Sequence, residues 1–207
     1  MTKKLFILLI TAFAFYNLSA QTSDHIDGIQ QGSWSSAFIE WNPGIYIVDG
    51  RVAHYNGTAL GFSRSFALSD RSNLLLETGA AVQLSYYNNS DDEEKLNLAS
   101  IKIPINFMYR INCLDNKVAV LPFMGITARG NFWGEMKTSG HYIDLYDKTE
   151  MGGKDETWKR IQIAWQIGLK IRFNQHLIIG SSYGYDFNNI AKRIKIHTGA
   201  ISIGYTY

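Results

Sequence analysis

Residues 160–173 read RIQIAWQIGLKIRF, and their alternation restricts the fold more than any other feature of the chain. Ile161, Ile163, Trp165, Ile167, Leu169, Ile171 and Phe173 share one parity, while Arg160, Gln162, Ala164, Gln166, Gly168, Lys170 and Arg172 share the other. On a helix, positions two apart lie about 200° apart, so seven apolar side chains would scatter around the whole circumference. On a strand they form one face, and four isoleucines with a tryptophan suit a pleated surface. The segment is therefore a strand with one apolar and one polar face.

The same pattern recurs along the chain. Ile101, Ile103, Ile105, Phe107 and Tyr109 oppose Lys102, Asn106 and Arg110. Leu177, Ile179, Tyr183 and Tyr185 oppose Gly180, Ser182 and Asp186; Ile201, Ile203, Tyr205 and Tyr207 oppose Ser202, Gly204 and Thr206. Leu74, Leu76, Val82 and Leu84 oppose Glu77 and Gln83, and Ile39 and Trp41 oppose Glu40 and Asn42. Residues 117–132 set Met124, Ile126 and Ala128 against Thr127, Arg129 and Asn131. Residues 57–69 are less regular, because Arg64 shares its parity with Leu60, Phe62 and Phe66; a bulge there would reset the register. Pro43, Pro104 and Pro122 also fall within strands, where proline removes a ladder donor. The count is eight strands. The connections at 69–73, 113–117 and 174–175 are short, whereas 49–56, 88–97, 132–157 and 189–195 are longer and polar. Short turns at one rim and long loops at the other describe an all-β, antiparallel, up-and-down barrel.

The chain opens MTKKLFILLITAFAFYNLSAQ, with Lys3 and Lys4 ahead of an apolar run and small residues at Ser19 and Ala20. This reads as a secretory signal peptide over residues 1–20, cleaved between Ala20 and Gln21. Its apolar run is shorter than the roughly 20 residues a spanning helix needs. Residues 21–33 read as a polar leader and 34–207 as the barrel. Removal of 1–20 takes away two lysines and leaves 18 basic and 18 acidic residues. That balance gives no reason to expect a nucleic-acid partner. A lone Cys113 excludes an intramolecular disulfide in this exported context.

Alternation alone does not say which face looks outward. A lipocalin-like soluble barrel would put the apolar face inside. Three features favour an apolar exterior: aromatics near strand ends, a polar face rich in Gly, Ser, Ala, Gln and Asn, and a chain that ends on an aromatic in strand register. That ending, GAISIGYTY, resembles the C-terminal assembly signal of outer-membrane barrels, carried here by Ile201, Ile203, Tyr205 and Tyr207. With ASIKIPINFMYRI (99–111) and the WQIGLKIRF…IIGSSYGYDFNNI tandem (165–190), the chain resembles the small outer-membrane β-barrel proteins typical of Bacteroidetes, a porin-family group similar in size to OmpA- and OmpX-type barrels. The resemblance covers about residues 34–207. It implies a transmembrane barrel of the Gram-negative cell envelope, with both termini in the periplasm and the long loops outside. The implied partners are outer-membrane lipid and lipopolysaccharide, the barrel-assembly machinery and an extracellular partner met through the loops.

On this threading Glu40, Glu77, Lys102, Arg110, Arg129, Arg160, Lys170, Arg172 and Asp186 project inward. An eight-stranded interior is only wide enough for side chains to fill. Isolated charges there are costly, so mutual ion pairs and hydrogen bonds with residues such as Gln162 and Gln166 are expected. Hairpin register puts Glu77 near Met108 and within diagonal reach of Arg110. The alternative to a structural polar core is a narrow pore for ions or small solutes. A second alternative is a lipid-modifying enzyme, which needs a histidine base beside a serine nucleophile and an orienting acid. His25, His54, His141, His176 and His197 form no local motif of that kind. His141, Asp144, Asp147, Glu150, Asp155 and Glu156 match no metal-site spacing. The run 91–94 and the basic AKRIK at 191–195 read as solvated loops, and Tyr142 and Tyr146 as amphipathic loop anchors. The expectation is a non-enzymatic barrel without a cofactor, with a structural or surface-interaction role.

Overall fold

The computed structural model describes residues 33–48, 51–69, 72–89, 94–114, 117–138, 140–153, 156–191 and 194–207. The expected signal peptide with its Ala20–Gln21 cleavage point, nearly all of the leader, and Asp91, Asp92, Asp155, Lys192 and Arg193 lie outside these residues. The strands are β1 (Trp34–Trp41), β2 (Gly44–Val48), β3 (Arg51–Ala67), β4 (Leu74–Asn89), β5 (Glu94–Tyr109), β6 (Ile111–Cys113), β7 (Val118–Thr138), β8 (His141–Asp144), β9 (Ile161–Phe173), β10 (Leu177–Asp186) and β11 (Ile194–Thr206).

They close into a ring of eight staves. β2 continues the stave of β1, since both lie between β11 and β3, and β6 continues β5 alongside β7. Every neighbouring pair is antiparallel. The break between β1 and β2 falls at Pro43, which has no amide hydrogen; its carbonyl instead accepts from Gly199 N at 2.7 Å. The lower rim carries the short turns and the chain end, where Tyr207 and Ser35 exchange backbone hydrogen bonds in both directions. Between β9 and β10 the turn is Asn174–Gln175, both at positive φ (44° and 66°), the backbone of a tight hairpin whose twist matches its strands.

The period-2 reading assigns the faces correctly. Ile161, Ile163, Ile167 and Leu169 are exposed on the outer wall, while Gln162, Ala164 and Arg172 are buried in the lumen. Residues 57–69 contain no bulge: β3 runs in unbroken register against β4 from Asn56↔Tyr86 to Ala67↔Leu75. Arg64 stays on the outer face near the lower rim, its guanidinium 5.3 Å from the Phe66 ring centroid. A long, snorkelling side chain over an aromatic resolves the parity conflict without a register change. The irregularity lies on β7 instead, where Ala99↔Trp133 is followed by Ser100↔Asn131. The extra residue leaves both Phe132 and Trp133 exposed outward and turns Gly134 into the barrel.

The upper connections are shorter than their polarity suggested. β3 starts at Arg51, Asn89 already pairs with Glu94, and 132–144 is a hairpin of β7 and β8. Polar residues on both faces erase the alternation, yet the ladder hydrogen bonds continue past it.

Candidate functional site: a lumen closed at both ends

The inward face is layered. At the lower end Trp34, Leu75, Met108, Leu121, Phe123 and Ile178 form an apolar cluster, with Leu75 and Leu121 fully buried. Gly168 makes this packing possible, because a Cβ there would run into the Phe123 ring. Arg172 lies against the same cluster, its guanidinium 4.1 Å from the Trp34 ring centroid. At the upper end Tyr46, Tyr55, Leu96, Leu98, Leu145, Trp158, Ile190, Ala191 and Ile196 form a second cluster. Its Leu145 and Trp158 come from the connection after β8. Trp158 N donates to Leu145 O at 2.9 Å, and Lys159 N to Ile190 O at 2.7 Å. Tyr46 and Tyr55 pack at a tilt with centroids 4.4 Å apart, and the Tyr55 hydroxyl bonds Thr198 Oγ1 at 2.7 Å.

Between these plugs lies the polar tier. Glu77, 2% exposed, receives Lys170 Nζ at 2.6 and 2.7 Å, Asn106 Nδ2 at 3.0 Å and Ser63 Oγ at 3.3 Å. Lys102 pairs with Glu40 and also donates to Asn42 Oδ1 at 3.2 Å. Gln166 donates to Asn106 Oδ1, linking β9 to β5 across the lumen. Higher up, Arg129 Nη2 meets Asp186 Oδ1 at 3.1 Å, and Asn131 Nδ2 donates to Gln162 Oε1 at 3.3 Å. Each ion pair joins staves that are not neighbours, so the charges tie the ring across its bore. Small cavities remain in this tier; Lys102, Gln166, Ser182 and Ala200 line both one of about 50 Å³ and one of about 30 Å³. At roughly 10–15 Å³ for one water on this scale, they suit a few water molecules.

The structure therefore brings together Glu40 with Lys102, Glu77 with Lys170, Arg129 with Asp186, and Gln162 and Gln166 with asparagines. Arg110 stands apart. The β4–β5 ladder runs Glu77↔Asn106 and Leu75↔Met108, two residues from the expected register, because the hairpin closes at Asn89↔Glu94. Arg110 is buried near the lower rim, and no acid pairs with it among the described residues. Arg160 is also corrected: it precedes β9, is exposed, and lies 4.2 Å from the Tyr146 ring centroid.

The four described histidines, His54, His141, His176 and His197, sit away from the lumen's polar tier. His197 bonds the Tyr183 hydroxyl on the outer wall, and His176 stacks on Tyr205 at 5.4 Å. His54, opposite Ile45, and His141, at the start of β8, are both exposed. The acids of the upper loop serve its own backbone. Asp144 Oδ1 accepts from Tyr146 N (2.8 Å), Asp147 Oδ1 from Thr149 N (2.7 Å), and Glu150 Oε2 from Asp144 N (2.6 Å). The Thr149 amide holds the Asp147 carboxyl below its usual range. Among the described residues no three metal-ligating side chains converge. Sequence reasoning missed the plugs, although Trp34, Leu75, Met108 and Leu121 sit as large apolar side chains on the otherwise polar parity.

The outer wall is an apolar band, with Leu60, Met124, Ile161 and Ile203 each at least half exposed. Aromatics mark both of its edges. Phe107, Tyr109, Tyr205 and Tyr207 lie toward the lower rim, and Trp41, Tyr86, Trp133 and Phe187 toward the upper. Ile201, Ile203, Tyr205 and Tyr207 all face outward on the closing stave.

No family model and no curated protein sequence matches the chain. Solved structures do. Ail, the attachment invasion locus protein of Yersinia pestis, in complex with the heparin analogue sucrose octasulfate, is 16% identical with a TM-score of 0.53, covering 85% of this chain and 99% of that one. A second Ail crystal structure is 15% identical at the same TM-score and coverage. Neisserial surface protein A is 13% identical with a TM-score of 0.49, covering 84% and 97%. At such identities the likeness concerns the fold alone: this chain is an eight-stranded antiparallel β-barrel with the fold of Ail, an outer-membrane protein.

Proposed function

We propose that the protein is an integral outer-membrane barrel with both termini in the periplasm, whose lumen does not conduct and whose loops present a surface to the cell exterior. It acts without catalysis and without a cofactor, in envelope integrity or surface interaction. The assignment to the Bacteroidetes group of such barrels rests on the terminal GAISIGYTY and the tandem of β9 and β10. The observation that carries the non-conducting reading is the pair of apolar plugs. Ions crossing the bore would have to pass Leu75, Leu121 and Met108 below, and Leu145, Ile190 and Ile196 above, apolar side chains that cannot replace their hydration.

Two measurements test this. On a denaturing gel, protein from isolated outer membranes shifts mobility between unboiled and boiled samples; recovery from the soluble periplasm would reverse the faces. In planar bilayers, neither the full protein nor a variant lacking residues 147–156 gives single-channel steps, because the lower plug is borne by strands. Discrete openings from the unmodified protein would establish the pore reading instead.

A further inference from the structure

One sector of the outer wall breaks its apolar pattern. Near the upper ends of β9, β10 and β11, Trp165, Tyr185 and His197 stand in one row across three staves, with Tyr183 and Lys195 beside them. All five have the outward parity. Lys195 Nζ donates to the Tyr185 hydroxyl at 2.6 Å and lies 5.2 Å from that ring's centroid. The Tyr185 and His197 rings are 4.5 Å apart, and Trp165 packs edge-on against Tyr183 at 5.8 Å. His197 Nδ1 is engaged by the Tyr183 hydroxyl, which leaves Nε2 as its remaining polar atom. Lys195 and Tyr183 are exposed.

The height of this cluster follows from the register. Tyr185 is eight residues above Leu177 on β10. At about 3.3 Å per residue and a tilt near 40°, that is roughly 20 Å, the upper part of an apolar band about 25 Å tall. Lys195, two residues further up β11 than His197, stands about 5 Å higher, at the upper edge of that band, so its ammonium meets lipid head groups while the rings lie just beneath.

We infer that this sector, on the outer-membrane reading above, binds the phosphorylated sugar head group of an outer-leaflet glycolipid. The ammonium of Lys195, held in place by Tyr185, supplies the charge for a phosphate. His197 Nε2 adds a second polar contact. Tyr183 and Trp165 offer ring faces and edges to the apolar side of a sugar, which a phospholipid head group does not use.

The test uses the full-length mature protein in phosphatidylcholine nanodiscs doped with bisphosphorylated lipid A, dephosphorylated lipid A or phosphatidylglycerol. Lipid retained after detergent extraction is counted by native mass spectrometry. The unmodified protein retains bisphosphorylated lipid A over both other lipids. Lys195→Gln lowers that retention about fivefold, the factor expected for one lysine at an anionic surface. Lys137→Gln, on the β7 extension elsewhere on the wall, leaves it unchanged. Equal retention with and without phosphate, equal retention of phosphatidylglycerol, or no loss in Lys195→Gln overturns the inference. Each variant is checked for the gel mobility shift. Should Lys195→Gln fail to fold, Tyr185→Phe removes the hydroxyl that orients the ammonium, and unchanged retention there overturns the inference equally. A membrane-inserted, heat-modifiable protein without lipid A preference sinks this site alone, whereas a soluble protein sinks the outer-membrane reading.

Discussion

Glu77→Ala is the most informative single perturbation of the lumen. Glu77 is 2% exposed and receives four hydrogen bonds from Lys170, Asn106 and Ser63, which sit on three different staves. Its removal leaves Lys170 as an uncompensated ammonium whose side chain is only 16% exposed, along with two unpartnered polar groups. Truncating one partner of a buried pair costs about 3–5 kcal/mol. The Phe123 ring, 5.4 Å from Lys170 Nζ, and the adjoining cavity offset part of the loss, so about 3 kcal/mol is expected. Replacing both partners, Glu77→Leu with Lys170→Met, removes both charges and their desolvation together. That double variant should lie within about 1 kcal/mol of the unmodified protein. Urea unfolding of the barrel in phospholipid vesicles, followed by tryptophan fluorescence and the gel mobility shift, measures both. A Glu77→Ala loss under about 1 kcal/mol, or a double variant worse than either single one, would refute the view that this pair ties the bore together.

The upper plug yields two further expectations. Trp158→Ala removes a ring packed against Tyr46 at 5.8 Å and should free the 145–158 connection while the barrel stays closed. Limited proteolysis at 147–156 should accelerate at least tenfold with unfolding unchanged, and equal rates would count against docking of this segment. The second concerns alkaline pH. Burial pushes the Tyr146 phenol above its ordinary range, only partly opposed by Arg160, and its hydroxyl has no hydrogen-bond partner. A raised folded-state value means this contribution to docking is complete below the ordinary tyrosine range and is lost as pH rises through the raised value. Phenolate absorbance of Tyr146→Phe should therefore lack a late-titrating tyrosine, and loss of one in the ordinary range would contradict the packing.

The layout of the site was partly legible from residue order alone. Parity placed Glu40, Glu77, Lys102, Arg129, Lys170 and Asp186 on one face, because successive strand side chains point to opposite sides whatever their neighbours do. Which charges meet is a different matter. The expected register set Glu77 near Met108 and diagonal to Arg110, two residues off; closure at Asn89↔Glu94 gave it Asn106, and the curvature of the ring brought Lys170 from β9. Arg64 shows the limit from the other side, since its parity with Leu60 and Phe62 suggested a bulge where none exists.

Local covalent geometry and the spacing of apolar residues determined the strands and their two faces. Tertiary structure alone decided the ion-pair partners, the β7 bulge at Phe132, and the sealing of the bore by Leu145 and Trp158. The ion pairs join groups 57 to 93 residues apart in the chain, which ring closure brings within hydrogen-bonding distance. A period of two records where a side chain points; it carries no information about what stands opposite.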